Sequence, residues 1–192
     1  MKKAWLIVML VCVGIGAHAQ NFVVDGIAYQ VLHGRQVEIT HTTTPPAAEL
    51  HLPSTVLHQG RSYRVTAIGT NAFMDCPTLC VIYLPNTLRV IGSEAFLGCP
   101  ELQEVYIPHS VKNIEIEAFS CCEKLHTIQL PKKLKCLEYK VLFGCLSLRE
   151  LHLPAGLRRI EDGALAGCPA AKNIHIPTTV KHIAPEAFGY AE

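Results

Sequence analysis

Five cysteines recur at one interval, Cys76, Cys99, Cys122, Cys145 and Cys168, each 23 residues after the last. Thiols form disulfides, hold soft metals or, once ionised, attack electrophiles. Distance alone does not forbid pairing, since disulfide Cα separations of about 4.4 to 6.8 Å include the spacing of stacked chain segments. Five residues cannot all pair among themselves, however, and each bond would draw side chains out of a core. Free cysteine is among the most buried small side chains, so the column is expected to be a reduced packing ladder. Cys80, Cys121 and Cys136 stand where the other copies have polar residues or glycine and are expected nearer the surface. A cysteine nucleophile needs an electropositive pocket and a fixed base. The sequence carries no nucleophile elbow, no H-E-x-x-H and no phosphate-cradling glycine loop. No catalytic residue, no cofactor and no enzymatic activity are expected.

The chain has ten histidines. His51, His152 and His175 share one column, and His152 and His175 are expected to stack in adjacent turns of chain, where Glu150 or Asn173 could complete a zinc site. A solvated strand face accounts for the same residues, and no metal is expected. The whole column reads His51, Tyr83, Tyr106, Gln129, His152, His175, beside a second one of Glu49, Val81, Glu104, Thr127, Glu150, Asn173. Aromatic and imidazole groups on a rigid sheet offer contact area at little ordering entropy. Tyr83, Tyr106, Glu104, Gln129, His152 and His175 are therefore the candidate partner-binding residues.

The spacing that aligns these residues also dictates the elements beneath them. Prolines fall at 85, 108, 131, 154 and 177, and a third column reads Phe73, Phe96, Phe119, Leu142, Leu165, Phe188. Each unit is L-x-x-[IVL]-x-[LI]-P-x-x-[LV]-x-x-[IL]-x-x-x-[AV]-[FL]-x-x-C. In Leu79–Leu84, apolar Ile82 and Leu84 alternate with Val81 and Tyr83, the period of a strand with one buried face. Proline then ends the strand because it cannot donate to a ladder. The chain returns through Leu88 and Ile91, and "SEAF" is expected to form one short helical or 3₁₀ turn. One such coil cannot bury its apolar residues alone, whereas stacked coils form a continuous core. The predicted fold is a β-rich solenoid of 23-residue repeats, with a parallel sheet on its concave face.

The remaining segments follow from departures from this period. Ile68 comes 15 residues after Pro53 instead of six, so the first unit holds a nine-residue insertion, read as a hairpin over 55–66 around Gly60. Residues 20–46 are expected to form an N-terminal β-hairpin cap and connector, and 47–192 the solenoid of about six repeats. Lys2 and Lys3, an apolar run from Ala4 to Gly16 and "AHA" predict a signal peptide over 1–19, cleaved before Gln20. A lipoprotein signal built on Cys12 is disfavoured by Val11 before it. Without Lys2 and Lys3 the 17 basic residues fall to 15 against 16 acids, a formal charge of −1. Bulk charge therefore attracts neither nucleic acid nor anionic lipid.

The phrase "LPNTLRVIGSEAFLGC" (84–99) and its copies resemble the BspA-like leucine-rich repeats of secreted and surface bacterial proteins, over about residues 47–190. The resemblance implies a leucine-rich-repeat fold, adhesion to host or partner proteins and no shared active site. Gly92, read as a left-handed turn glycine, gives way to Glu115, Glu138, Glu161 and Ala184 in later copies, and Leu142 and Leu165 replace phenylalanine. A secreted or cell-surface location follows, with the periplasm as an alternative. The expected partner is a host extracellular or bacterial envelope protein, with a glycan as alternative and no nucleic acid. A competing role is a structural or self-assembling envelope component. The sequence ends within a repeat without a polar cap, which would leave an open strand edge near Ile174–Ile176 for self-association.

Overall fold

Each turn of chain offers its backbone groups to the turns on either side, so the apolar columns become ladders. The structure, a computed structural model, describes residues 21–189. The expected signal peptide lies outside the described residues. Strands β1 (Asn21–Val24), β2 (Ile27–Val31) and β3 (Gln36–Thr42) precede the repeats, followed by β4 (Glu49–His51), β5 (Thr55–His58) and β6 (Arg61–Ile68) in the first coil. The next coils contribute β7 (Val81–Tyr83) and β8 (Val90–Ile91), β9 (Glu104–Tyr106) and β10 (Asn113–Ile114), then β11 (Thr127–Ile128) and β12 (Cys136–Leu137). The last two coils keep only β13 (Arg159–Ile160) and β14 (His182–Ile183).

The first strands of successive coils form a parallel sheet ordered β4-β7-β9-β11. Its register pairs Tyr83 with Tyr106 and Glu104 with Thr127, 23 positions apart, and His51 with Tyr83 across the insertion. Ile82, Val105 and Ile128 point into the core. The second strands form another ladder, in which Ile39, Ile68, Ile91 and Ile114 stand in register, all buried. This ladder is interrupted after β10 and resumes as β12-β13-β14. Between the two ladders the Phe73, Phe96 and Phe119 rings stack at 5.1 and 5.2 Å within 4° of parallel, which is why phenylalanine repeats in phase with the coils.

The "SEAF" segments are not helical. Alternate N–H groups leave the coil: those of Asn71, Phe73 and Asp75 donate to the carbonyls of Ser93, Ala95 and Leu97 in the next turn, while those of Ala72, Met74 and Cys76 close local turns. A helix would keep all of these donors to itself, so cohesion between coils replaces it. The alternation requires left-handed residues at two positions per coil. Asn71, Glu94, Glu117, Lys140 and Gly163 form one column, and Asp75, Gly98, Cys121, Gly144 and Gly167 the other, with φ from 50° to 79°. Gly92 is not among them. It is glycine because a Cβ there would lie 2.8 Å from the carbonyl carbon of Gly69. In the next coil Glu115 takes this position, and its carboxylate accepts from the N–H and hydroxyl of Ser93, both at 3.1 Å.

Upstream of the repeats there are three strands rather than a hairpin. β1 and β2 pair antiparallel, β2 pairs with β3, and β3 then runs parallel to β6 as though it were the preceding coil's second strand. His41 and Thr42, within the expected cap and connector of 20–46, belong to β3. The insertion is the antiparallel pair β5–β6, turning at Gln59–Gly60. Phe22 of β1 lies against Tyr29, Tyr63 and His58 at 5.5, 5.3 and 4.2 Å, so the insertion and the N-terminal strands form one unit over the end of the core. Burial first, and Asp25 second, push the Tyr29 phenol up to about 12.

At the other end the first ladder stops at β11, and residues 174–176 are not a strand. The leucine that anchors the earlier coils (Leu79, Leu102, Leu125, Leu148, all fully buried) is Ala171 in the last one. Lacking that anchor, Pro169–Asn173 winds into a 3₁₀ helix that buries Ala170 instead. A cleft of about 540 Å³ opens in place of the strand pair, lined by Glu150, His152, Leu153, Asn173 and His175. Among the described residues the last strand of this ladder is β14, where Ile183 is 42% exposed while its counterparts Ile91, Ile114 and Ile160 are buried.

Candidate partner-binding surface

The third residue of β4, β7 and β9 points outward at the same height, and direct pairing superposes His51, Tyr83 and Tyr106. Parallel strands lie about 4.8 Å apart, slightly more than the thickness of an aromatic ring, so side chains in one rotamer meet face to face. The His51 and Tyr83 rings are 4.1 Å apart and 10° from parallel, and those of Tyr83 and Tyr106 4.6 Å and 2°. Tyr106 is 41% exposed, His51 is exposed and Tyr83 half-buried. The stack hides the inner ring faces and presents ring edges, the outer faces of His51 and Tyr106, and hydroxyl groups.

A carboxylate flanks each end. His51 Nε2 lies 3.0 Å from Glu49 Oε1, and the Tyr106 hydroxyl donates to Glu104 Oε2 at 2.5 Å. The bond to Glu104 is the main reason that the Tyr106 phenol is raised to about 12. The site is thus a row of stacked ring edges bounded by Glu49 and Glu104, with Val81 half-buried beside it. It can hold an apolar or cationic side chain. Among the described residues no group of three or more His, Cys, Asp or Glu side chains converges as a metal site would require.

Of the other predicted residues, Gln129 follows Tyr106 in the column and is exposed just beyond β11. His152 and His175 are exposed but line the cleft and do not stack, because the strands that would align them are absent. His51 heads the column read from the sequence, next to Tyr83, but is not among the candidate partner-binding residues named from it; the structure places it with them.

The five column cysteines are buried, and the eight cysteines among the described residues are free thiols. Each of four donates to the preceding coil: Cys99 Sγ to Phe73 O (3.0 Å), Cys122 to Phe96 O (3.1 Å), Cys145 to Phe119 O (3.3 Å) and Cys168 to Leu142 O (2.8 Å). The sulfur thus packs the core and fastens one coil to the next. Hydrogen bonding with the neighbouring thiol (Cys99 for Cys122, Cys168 for Cys145), and then burial, hold Cys122 and Cys145 well above the ordinary thiol range. Burial, then Glu138, pushes half-buried Cys136 up to about 12. Cys121 is exposed at a left-handed position where Gly98 and Gly144 stand in the adjacent coils, and Cys80 is half-buried.

Residues 66–192 match the model of the BspA type leucine rich repeat region in six copies. No curated protein matches the sequence. Among solved structures, a leucine-rich cell surface protein of Faecalibacterium prausnitzii superposes with a TM-score of 0.74 at 23% identity, over 88% of this chain and 52% of its own. The T. pallidum leucine-rich-repeat protein gives 0.71 at 22%, over 86% of both chains. The pneumococcal vaccine antigen PcpA gives 0.73 at 17%, over 89% of this chain and 47% of its own. The chain therefore spans about half the length of the first and third of these, and all three are similar to it in fold. With six copies of the repeat over two-thirds of its length, the chain belongs to the BspA-type leucine-rich-repeat family.

Proposed function

We propose that this protein is an exported or surface-displayed binding module that captures a protein partner on the outward face of the β4-β7-β9-β11 sheet, without catalysis. The observation that carries the reading is the exposed His51–Tyr83–Tyr106 stack bounded by Glu49 and Glu104. Aromatic groups that are already ordered lose little entropy on binding and are typical interface anchors. The flanking carboxylates favour a partner segment that carries Lys or Arg beside an apolar residue. The cell-surface description of the F. prausnitzii protein agrees in kind with such a role.

The test is to challenge the immobilised protein with extracellular matrix and serum proteins and with an envelope extract. Tyr83→Ala and Tyr106→Ala should each weaken the captured interaction by about 30-fold, as hot-spot residues do. Tyr139→Ala, at an exposed tyrosine outside this sheet, should leave it unchanged. Loss in the Tyr139 variant with retention in the other two would withdraw the assignment. The exposed Ile183 of β14 favours a second reading, self-association, for which a rise in scattering mass with concentration is the signature.

A further inference from the structure

Every coil after the first carries a base at one position: Arg89, Lys112, Lys135, Arg158 and Lys181. All five are exposed at the start of the second strand, on the ladder that does not bear the aromatic stack. Their backbones are neighbours: the N–H of Lys112 donates to Arg89 O at 2.8 Å, that of Arg158 to Lys135 O at 2.8 Å and that of Lys181 to Arg158 O at 2.9 Å. Between Lys112 and Lys135 the ladder opens into a cleft of about 500 Å³ lined by both lysines and by Glu115, Ile116 and Glu138. Within each part of the ladder the bases follow one another at about the 4.8 Å strand spacing, Arg89 with Lys112 on one side of the cleft and Lys135, Arg158 and Lys181 on the other.

Acidic residues form no ion pair with this row among the described residues. The stretches from proline through the second strand, PNTLRVI, PHSVKNI, PKKLKCL, PAGLRRI and PTTVKHI, contain no Asp or Glu. Among the described residues, none of the five bases is in a salt bridge. The Arg89 guanidinium reaches only the carbonyls of Asn86 and Leu88, and Lys135 Nζ that of Gly156. In the nearest acidic column Glu115 is bound to Ser93 and Glu161 to Arg159, while Glu138 lines the cleft without an ion pair to either lysine. Like charges in register on adjacent strands are destabilising. The fold does not require a base here, since Thr66 fills the position in the first coil, where its C=O accepts from the Arg89 N–H.

We infer that this row is a binding site for a linear anionic polysaccharide whose sulfate or carboxylate groups follow one another along its length. One aligned base per coil, with Lys132 and Lys133 beside Lys135, matches one thin chain. Single-stranded nucleic acid is bound on aromatic stacking platforms, and the five stretches contain no Phe, Tyr or Trp. A membrane surface is engaged by a continuous apolar face beside the bases, whereas here the exposed apolar residues near the row are Ile116 and Ile183, which lie apart. With a sequence pI near 7.6, affinity for a polyanion would come from this local row rather than from net charge.

The test measures binding of the purified protein to heparin, which carries sulfate, and to hyaluronan, which carries carboxylate alone, across a salt series. Single-stranded DNA and phosphatidylserine vesicles serve as comparison polyanions. Heparin, hyaluronan or both should bind more tightly than either comparison, and the stronger of the two names the anionic group. The Lys112→Gln/Lys135→Gln/Arg158→Gln variant should bind at least tenfold more weakly near 0.1 M salt. Its log–log salt slope should fall by about two, as expected for three lost charge contacts. The equally charged Lys124→Gln/Arg149→Gln/Lys172→Gln variant should change less than twofold, and Lys112→Arg/Lys135→Arg should bind as the parent does. No binding to either polysaccharide, equal or tighter binding to DNA or vesicles, or equal losses in both triple variants would overturn the inference.

Discussion

Replacing Cys122 by alanine measures what the cysteine ladder does. The side chain is fully buried, and its thiol donates to Phe96 O at 3.1 Å. Removing the sulfur forfeits about 0.8 kcal/mol of transfer free energy, as for one buried methylene group. A residual void of about 20 Å³ adds about 0.5 kcal/mol at roughly 24 cal/mol per Å³. Losing the weak thiol hydrogen bond adds about 0.5 kcal/mol, near the low end for such bonds. The Phe96 carbonyl is not orphaned, because the Cys99 N–H still reaches it at 3.4 Å. The expected loss is therefore about 2 kcal/mol, and with a urea m-value of about 2 kcal/mol/M the midpoint should fall by about 1 M. Cys80→Ala, at a half-buried site, should lose less than about 0.5 kcal/mol, as surface changes usually do. Thiol titration supplies the chemical half of the test. The ladder cysteines should be unreactive in the native protein, and all eight from Cys76 onward should react once it is unfolded without reductant. Equal losses at Cys122 and Cys80, or thiols that react only after reduction, would refute the reasoning.

Gly92→Ala places a Cβ 2.8 Å from the Gly69 backbone and should destabilise by about 1–3 kcal/mol, the usual range for overpacking, read as a lowered urea midpoint; an unchanged midpoint would show that the coils can separate there. The Glu38 carboxyl is raised by burial and secondarily by Glu115. A carboxyl whose folded pKa is raised favours the folded state below its unfolded pKa and loses that contribution as pH rises through the folded value. Glu38→Gln should accordingly raise Tm at pH 7 and leave it nearly unchanged at pH 4 and below, and equal effects at both pH values would contradict this.

How much could be read without the structure differs from one element to the next. A solenoid coil buries the same side chains against the same neighbours at every turn, so a 23-residue column already implies a shared environment. For that reason the repeat, the inward Ile82 and Leu88, the buried cysteine column and the outward tyrosines could all be placed from residue types and spacing. The basic row from Arg89 to Lys181 was equally visible as a column. Its unpaired state was not, because that depends on Glu115 and Glu161 turning to Ser93 and Arg159. What needed the tertiary structure were the places where the environment of one coil differs from the next. Ala171 for leucine changes a single letter, yet it removes the anchor that aligned His175 with His152 and opens a cleft between them. The alternation of N–H groups between a coil and its neighbour turned an expected 3₁₀ segment into a ladder, since hydrogen bonds between coils leave no trace in local propensity. Only the fold could bring β3 alongside β6, because that contact depends on where the insertion packs and not on the sequence flanking it.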